Sequence, residues 1–228
     1  MSLIQAIRSQ VETALWECCS PGYIRFIEGT ALVGQVLETL AADACAFARK
    51  DPASRGDPFR IVQTYTSYRA VLHYRIANAM ERLAQKAQSE DNESSCYALL
   101  VSSRGKMLSG AELHPCSSIG RRFVLDHGVG TVFGETVLVG DDCYVLGGVT
   151  LGASGIAANS CGKRHPSVGD RVQLGAFSRV FGNVDIGDDV FIGPHCTVTS
   201  DVPAGSKVVL RSSLQIVKPR ASELSMLL

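Results

Sequence analysis

Five histidines occur in the 228 residues, and three of them stand in short runs with other charged side chains. Leu125-Asp126-His127-Gly128 puts an imidazole directly after a carboxylate. Lys163-Arg164-His165-Pro166 puts one after two cations, and Glu112-Leu113-His114-Pro115 sets a third two residues beyond an acid. Three chemistries fit such residues. A histidine with a carboxylate partner is a general base, the carboxylate fixing its tautomer and steadying the imidazolium. His127, His165 and His195 could instead form a three-histidine zinc site, but their spacings match no local ligand motif, and no resident metal is expected. Taken singly, each is a histidine that closes a turn or makes a loop hydrogen bond. A further carboxylate, Asp43, falls on one helical face with Val36, Leu40 and Phe47. An unpaired charge there is costly. Asp43 therefore either reaches water from the edge of the stripe or meets a substrate cation.

What must position these groups is a six-residue beat. Val168, Leu174, Val180, Ile186, Ile192 and Val198 recur without a slip, and Gly169, Gly175, Gly187 and Gly193 follow four of them. The same phase runs upstream through Phe133, Val139, Val145 and Leu151. Neither a helix nor a single strand repeats in this way; a parallel β-helix of hexapeptides does, one short strand and one turn at a time. The beat fails twice. Two extra residues separate Leu125 from Phe133, and the small, polar stretch Ala153 to Pro166 precedes Val168. Such insertions loop out of a solenoid, often on its binding face, and Gly152 to Gly162 reads as a mobile flap. His127 lies in the first interruption and His165 in the second. With about eighteen residues per coil, the two approach one another within a subunit or across a contact between copies.

Upstream of the repeat the chain reads as helical. Residues 1–28 are broken at Ser20-Pro21-Gly22. A stronger helix starts near Gly29 and is stopped by Arg49, Lys50 and Asp51-Pro52. After a loop over 53–60, Ile61, Tyr65, Tyr68, Leu72, Ile76, Met80 and Leu83 mark one long helix, with His73 as a structural histidine. A polar run over 88–95 leads to a short helix over Tyr97 to Leu108. The expected class is α+β: an α-helical region at 1–110, a β-helix at 111–210 and a tail at 211–228.

Composition narrows the function. Lys and Arg together number 22, equal to Asp and Glu, so neither nucleic acid nor an anionic membrane is indicated as a partner. The N-terminus lacks a signal-peptide pattern, and the longest apolar stretch, Ala31 to Ala48, is interrupted by Gln35, Glu38 and Asp43. A cytoplasmic protein is the expectation. The eight cysteines contain no C-x-x-C pair and read as reduced thiols, with Cys161 the candidate reactive one.

From about Asp43 to Ile216 the chain resembles the serine acetyltransferase family. The resemblance rests on Leu125-Asp126-His127, Gly134-Glu135-Thr136, Val149-Thr150-Leu151-Gly152, Arg164-His165-Pro166, Gly182-Asn183, and Asp43 with Asp51-Pro52 eight residues on. It implies a left-handed β-helix, a homotrimer that can pair into a dimer of trimers, and acetyl transfer from acetyl-CoA to the hydroxyl of L-serine in cysteine biosynthesis. On this resemblance His127 is the catalytic base and Glu112 stands where an aspartate orients it. Asp43, Asp126, Arg164 and His165 hold the serine, and acetyl-CoA lies between subunits against Ala153, Gly175, Ala176 and Gly193. The family's C-terminal tail docks into a sulfhydrylase; here it ends Met226-Leu227-Leu228 rather than in isoleucine.

Some positions depart from the family pattern. Glutamate replaces aspartate at 112, Ala153 replaces a glycine, the flap before Arg164 is longer, and Leu210-Arg211-Ser212-Ser213 replaces Gly-Val-Pro-Ala. These departures keep two other readings open: an acyltransferase for another hydroxyl (homoserine, a modified serine or a sugar), and a non-catalytic trimeric partner or regulator.

Overall fold

The computed structural model describes residues 1–87, 93–159 and 161–211. Among the described residues six α-helices precede fourteen short strands: α1 (Leu3–Cys18), α2 (Pro21–Glu28), α3 (Leu32–Lys50), α4 (Pro58–Thr64), α5 (Thr66–Ala87) and α6 (Glu93–Ser109), then β1 (Glu112–Leu113) through β14 (Lys207–Val208). The break at Ser20-Pro21-Gly22 is where α1 gives way to α2, Ser20 accepting from the Tyr23 N–H as an N-cap. The long helix expected from Ile61 to Leu83 is two helices. The chain leaves helical geometry at Tyr65, whose hydroxyl donates to Asp51 Oδ2 at 2.6 Å. The last helix begins at Glu93, earlier than the apolar residues alone indicate; an acid in the first turn suits the helix dipole.

The strands close into a three-sided left-handed prism. Three parallel sheets run β1-β4-β7-β10-β13 (sheet A), β2-β5-β8-β11 (sheet B) and β3-β6-β9-β12-β14 (sheet C), so each strand pairs with the equivalent strand one coil away. The hexapeptide phase fixes the interior. Phe133 pairs with Leu151, which pairs with Val180, then Val198. Val139 stacks on Val168 and Ile186, and Val145 on Leu174 and Ile192. All ten are buried. A one-residue slip would turn each of these outward, so the pattern itself enforces register.

The helices close one end of this prism for a definite reason. In the first coil the N–H groups of Glu112, Ser118 and Val124 donate to the carbonyls of Thr131, Val137 and Cys143 in the next coil, while alternate residues along a parallel strand point the other way. The carbonyls of Leu113, Pro115, Ser117, Ile119 and Gly120 face the helices, where no strand can donate to them. Side chains of α5 and α6 supply the missing donors. Ser102 donates to Leu113 O, Asn78 to the carbonyls of Pro115 and Ser117, Tyr74 to Ser117 O, and Arg75 to the carbonyls of Ile119 and Gly120. Tyr74, Arg75 and Asn78 fall within one turn of α5, so one face delivers all three.

This arrangement corrects the reading of Asp43. Its side chain is 1% exposed. It accepts from Arg75 Nε at 2.9 Å and Nη2 at 3.2 Å, and from the Phe123 N–H at 3.0 Å. Burial pushes the carboxyl's pKa up against the pull of Arg75. Asp43 neither reaches water nor faces a substrate: it holds Arg75 under the β-helix. Helical periodicity identified the apolar face, but the cation across from it comes 32 residues later.

Candidate active site

The first interruption forms the edge between sheets C and A. After β3 (Val124–Leu125) the chain makes a glycine-rich excursion before β4 (Val132–Phe133). His127 sits at φ 62° and Gly128 at φ 76°. The same left-handed backbone recurs at Arg122, Asp142, Arg171, Phe177, Asp189 and His195, so it marks a corner of the coil. The His127 side chain is 81% exposed, and its Nε2 lies 3.9 Å from Asp126 Oδ2. That is an electrostatic neighbour, too far for a hydrogen bond. Asp126 is itself held, accepting from Tyr144 Oη at 2.8 Å.

Opposite stands a matching pair from the helical region, Tyr65 and Asp51. The hydrogen bond to Asp51 pushes the Tyr65 phenol up to about 12. Burial, then the bond to Asp126, raises that of Tyr144. Each aspartate also acts on the other's tyrosine. Two fixed carboxylates thus lie near one another on the edge that carries the exposed imidazole, an arrangement suited to binding an ammonium beside a proton acceptor.

The second interruption forms the edge between sheets A and B. Thr136 organises it. Its hydroxyl oxygen accepts from the N–H groups of Arg164 (3.1 Å) and His165 (3.2 Å) and lies 2.8 Å from His165 Nδ1. The Thr136 N–H also donates to His165 Nδ1 at 3.2 Å. A ring nitrogen that accepts from a backbone N–H carries no proton, so the neutral ring is protonated at Nε2. Burial, then the charges of Arg164 and Lys163, pushes the His165 pKa down and keeps the ring neutral. Gly134 is obligatory here: a Cβ would lie 2.1 Å from His165 Nε2. Arg164 pairs with Glu135 through Nη2, and this holds the Glu135 carboxyl below the usual range. The guanidinium is thereby aimed, with donors left for a second carboxylate.

Within one chain the predicted residues divide between these places. Asp126, His127, Gly175, Ala176 and Gly193 lie along the C–A edge, following β3, β9 and β12. Arg164, His165 and Ala153 lie along the A–B edge, one face of the prism away. Glu112 is on that intervening face, paired in register with Val132, and its carboxylate meets Lys106 Nζ at 2.5 Å. The carboxylate found beside the His127 imidazole is that of Asp126. Within one chain His165 lies on a different edge from His127 and His195, so the three do not meet there. Among the described residues no cluster of three His, Cys, Asp or Glu side chains is placed to hold a metal.

The structure also adds residues. Asp51, taken from sequence as a helix stop and a companion of Asp43, belongs to the C–A edge with Tyr65 and Tyr144. Phe177 and His195 stack there with ring centroids 5.4 Å apart and planes 9° apart. Both have positive φ, 59° and 60°. They occupy equivalent turn positions of successive coils, Gly175-Ala176-Phe177 and Gly193-Pro194-His195, and that equivalence was the available signal. The flap leaves β7 (Thr150–Gly152) at Ala153; residue 160 lies outside the described residues, as do 212–228 and with them the tail expected to dock a sulfhydrylase. Among the described residues no single helix is long and apolar enough to cross a membrane.

Residues 165–200 match the family described as bacterial transferase hexapeptide (six repeats). The serine acetyltransferase of Helicobacter pylori is 38% identical over 172 residues, covering 75% of this chain and 93% of that one. That of Synechococcus elongatus is 36% identical over 176 residues, 76% of this chain and 66% of the relative. Among solved structures, serine acetyltransferase isoform 3 of Entamoeba histolytica in complex with cysteine superposes with a TM-score of 0.71 at 32% identity. It covers 83% of this chain and 64% of its own. The Neisseria gonorrhoeae enzyme in complex with serine gives 0.74 at 26% identity, over 92% and 83% of the two chains.

Proposed function

The chain belongs to the serine acetyltransferase family, and from that premise we propose that it moves acetyl from acetyl-CoA to the hydroxyl of L-serine by direct transfer, with His127 as general base. His127 removes the hydroxyl proton as the serine oxygen attacks the thioester carbonyl. The tetrahedral intermediate then expels the thiolate of CoA, which takes up the proton held on the imidazole. An alcohol needs this help because almost none of it is ionised at neutral pH. Asp51 and Asp126 face the ammonium of the serine, and Asp126 steadies the imidazolium. Arg164, aimed by Glu135, receives the serine carboxylate beside the Nε2–H of His165.

The observation that carries this reading is the division of the site. One edge has the base and the ammonium partners; the other has the carboxylate clamp. A homotrimer that sets the C–A edge of one copy against the A–B edge of the next unites them. The same contact puts Ala153 of one copy across from Gly175, Ala176 and Gly193 of its neighbour, a groove for acetyl-CoA. Phe177 and His195 then form part of its wall.

Thiol release from acetyl-CoA, measured with L-serine, homoserine and simple sugars, tests the proposal. Serine is the preferred acceptor and His127→Ala lowers kcat by a factor on the order of 10² or more. Full activity in that variant, or no turnover with serine in the native chain, contradicts it.

A further inference from the structure

The third edge of the prism, between sheets B and C, carries neither His127 nor Arg164. At its helical end, the start of α3, one face of α5 and the corner after β2 (Ser118–Ile119) enclose a groove of about 500 Å³. That is the size of a small-molecule site. Its walls are one-sided in charge. Arg75, Arg82, Lys86 and Arg121 line it, and no Asp or Glu does. The whole chain balances 22 cations against 22 acids, so the excess is local. Concave walls of one sign focus the field and raise the local concentration of counter-charge.

The sequence explains how the cations converge and why they stay unmatched. Asn78, Arg82 and Lys86 are spaced by four on α5 and share one face, where the two like charges repel. Glu81 of the same helix is engaged by Gln85 at 3.3 Å instead. Arg82 reaches toward the prism, its Nη2 3.4 Å from Ser118 Oγ. The Arg121 N–H donates to Asp141 Oδ1 at 2.8 Å, but the carboxylates of Asp141 and Asp142 both pair with the guanidinium of Arg122. Among the described residues no carboxylate lies within ion-pair distance of Arg82, Lys86 or Arg121. Arg75 is different: Asp43 neutralises it. Other exposed cations of this chain sit among acids, as Arg8 does with Glu12 and Arg171 with Asp188 and Asp189. Between the three unmatched charges, Thr30, Gln35 and Ser118 supply neutral hydrogen-bonding groups, and no aromatic ring lines the groove.

We propose that this groove is a second small-molecule site, one that binds a phosphorylated polar molecule carrying at least two negative charges. Its phosphoryl oxygens meet the guanidinium forks of Arg82 and Arg121, whose geometry suits phosphate, with the Lys86 ammonium beside them. Its polar body lies against Thr30, Gln35 and Ser118. A single carboxylate would leave two of the three cations unmet, and a nucleobase would find no ring to stack on.

Titration calorimetry of the full chain with pyrophosphate at physiological ionic strength tests it, with malonate as the dicarboxylate counterpart. Binding is repeated in Arg82→Gln and Arg121→Gln, both exposed positions, and in Arg8→Gln, which removes a cation from α1 outside the groove. The proposal requires saturable binding of pyrophosphate, weakened on the order of tenfold or more by each groove variant and unchanged in Arg8→Gln. Malonate must bind at least tenfold more weakly. Absence of saturable pyrophosphate binding overturns the proposal. So does binding that survives both groove variants, which places the anion elsewhere, or an equal loss in Arg8→Gln, which makes it a diffuse effect of charge. Equal binding of malonate removes the preference for phosphate and overturns it as well.

Discussion

Replacing Asp43 by alanine separates two roles that look alike in sequence. If the carboxylate held substrate, its loss would raise KM and leave the fold intact. The structure requires the opposite. Asp43→Ala removes both side-chain contacts to Arg75 and the acceptor of the Phe123 N–H. Hydrogen bonds involving a charged group are worth about 1.5–3 kcal/mol each, but simple addition overstates the loss, because Arg75 keeps the carbonyls of Ile119 and Gly120. Breaking one partner of a buried ion pair costs about 3–5 kcal/mol, and Arg75 at 8% exposure qualifies. With a urea m-value of about 2–3 kcal/mol/M, the midpoint falls by about 1–2 M. Denaturation is compared at one protein concentration, since association of subunits contributes to apparent stability. The enzyme that remains folded keeps its KM for serine within about twofold. An unchanged midpoint together with a KM raised on the order of tenfold would refute the structural assignment.

Three further outcomes follow from the same geometry. Co-refolding equal amounts of His127→Ala and Arg164→Ala, each inactive alone, restores activity from about a quarter of the sites if a closed trimer forms each site between two copies; no recovery argues for sites within one subunit. Gly134→Ala drives a Cβ into the His165 ring, so kcat/KM for serine falls on the order of tenfold or more, at a stability cost of about 1–3 kcal/mol; wild-type kinetics would show that His165 is not needed in place. His73, His114 and His165 all have pKa values pushed below the ordinary 6.5, chiefly by burial. The unfolded chain therefore binds more protons than the native one as pH drops. Their contribution to stability is full above about pH 6.5 and is lost as pH falls through the folded values, so urea midpoints decline from pH 7 toward pH 5, and a flat profile would contradict the assignment.

The prism was legible because each coil repeats one demand, an apolar side chain at every sixth position, and local sequence alone meets it. The two breaks in that rhythm led to His127, Arg164 and His165 for the same reason. What escaped was long-range. A helical wheel shows that Asp43 faces inward but not that Arg75 waits there. Asp51-Pro52 signals a helix stop so strongly that the carboxylate's second partner, Tyr65, is hidden behind it. Phe177 and His195 lie inside the regular stretch, where regularity discourages a search, and only their stacking across one coil shows that they are in contact. That His127 and Arg164 occupy different edges is also invisible from spacing, because the flap before Arg164 uncouples residue number from position around the prism.

The donors that α5 and α6 place under the first coil have a consequence for the life of the chain outside its native state. A parallel β-helix has no closed rim, and its terminal coil is a sheet edge ready to recruit strands from another molecule. Tyr74, Arg75, Asn78 and Ser102 occupy that edge. The helices thus serve as a stopper against end-to-end polymerisation. Because coils of a solenoid stabilise one another in series, the first coil depends on this cover, and the buried Asp43–Arg75 pair holds Arg75 against it.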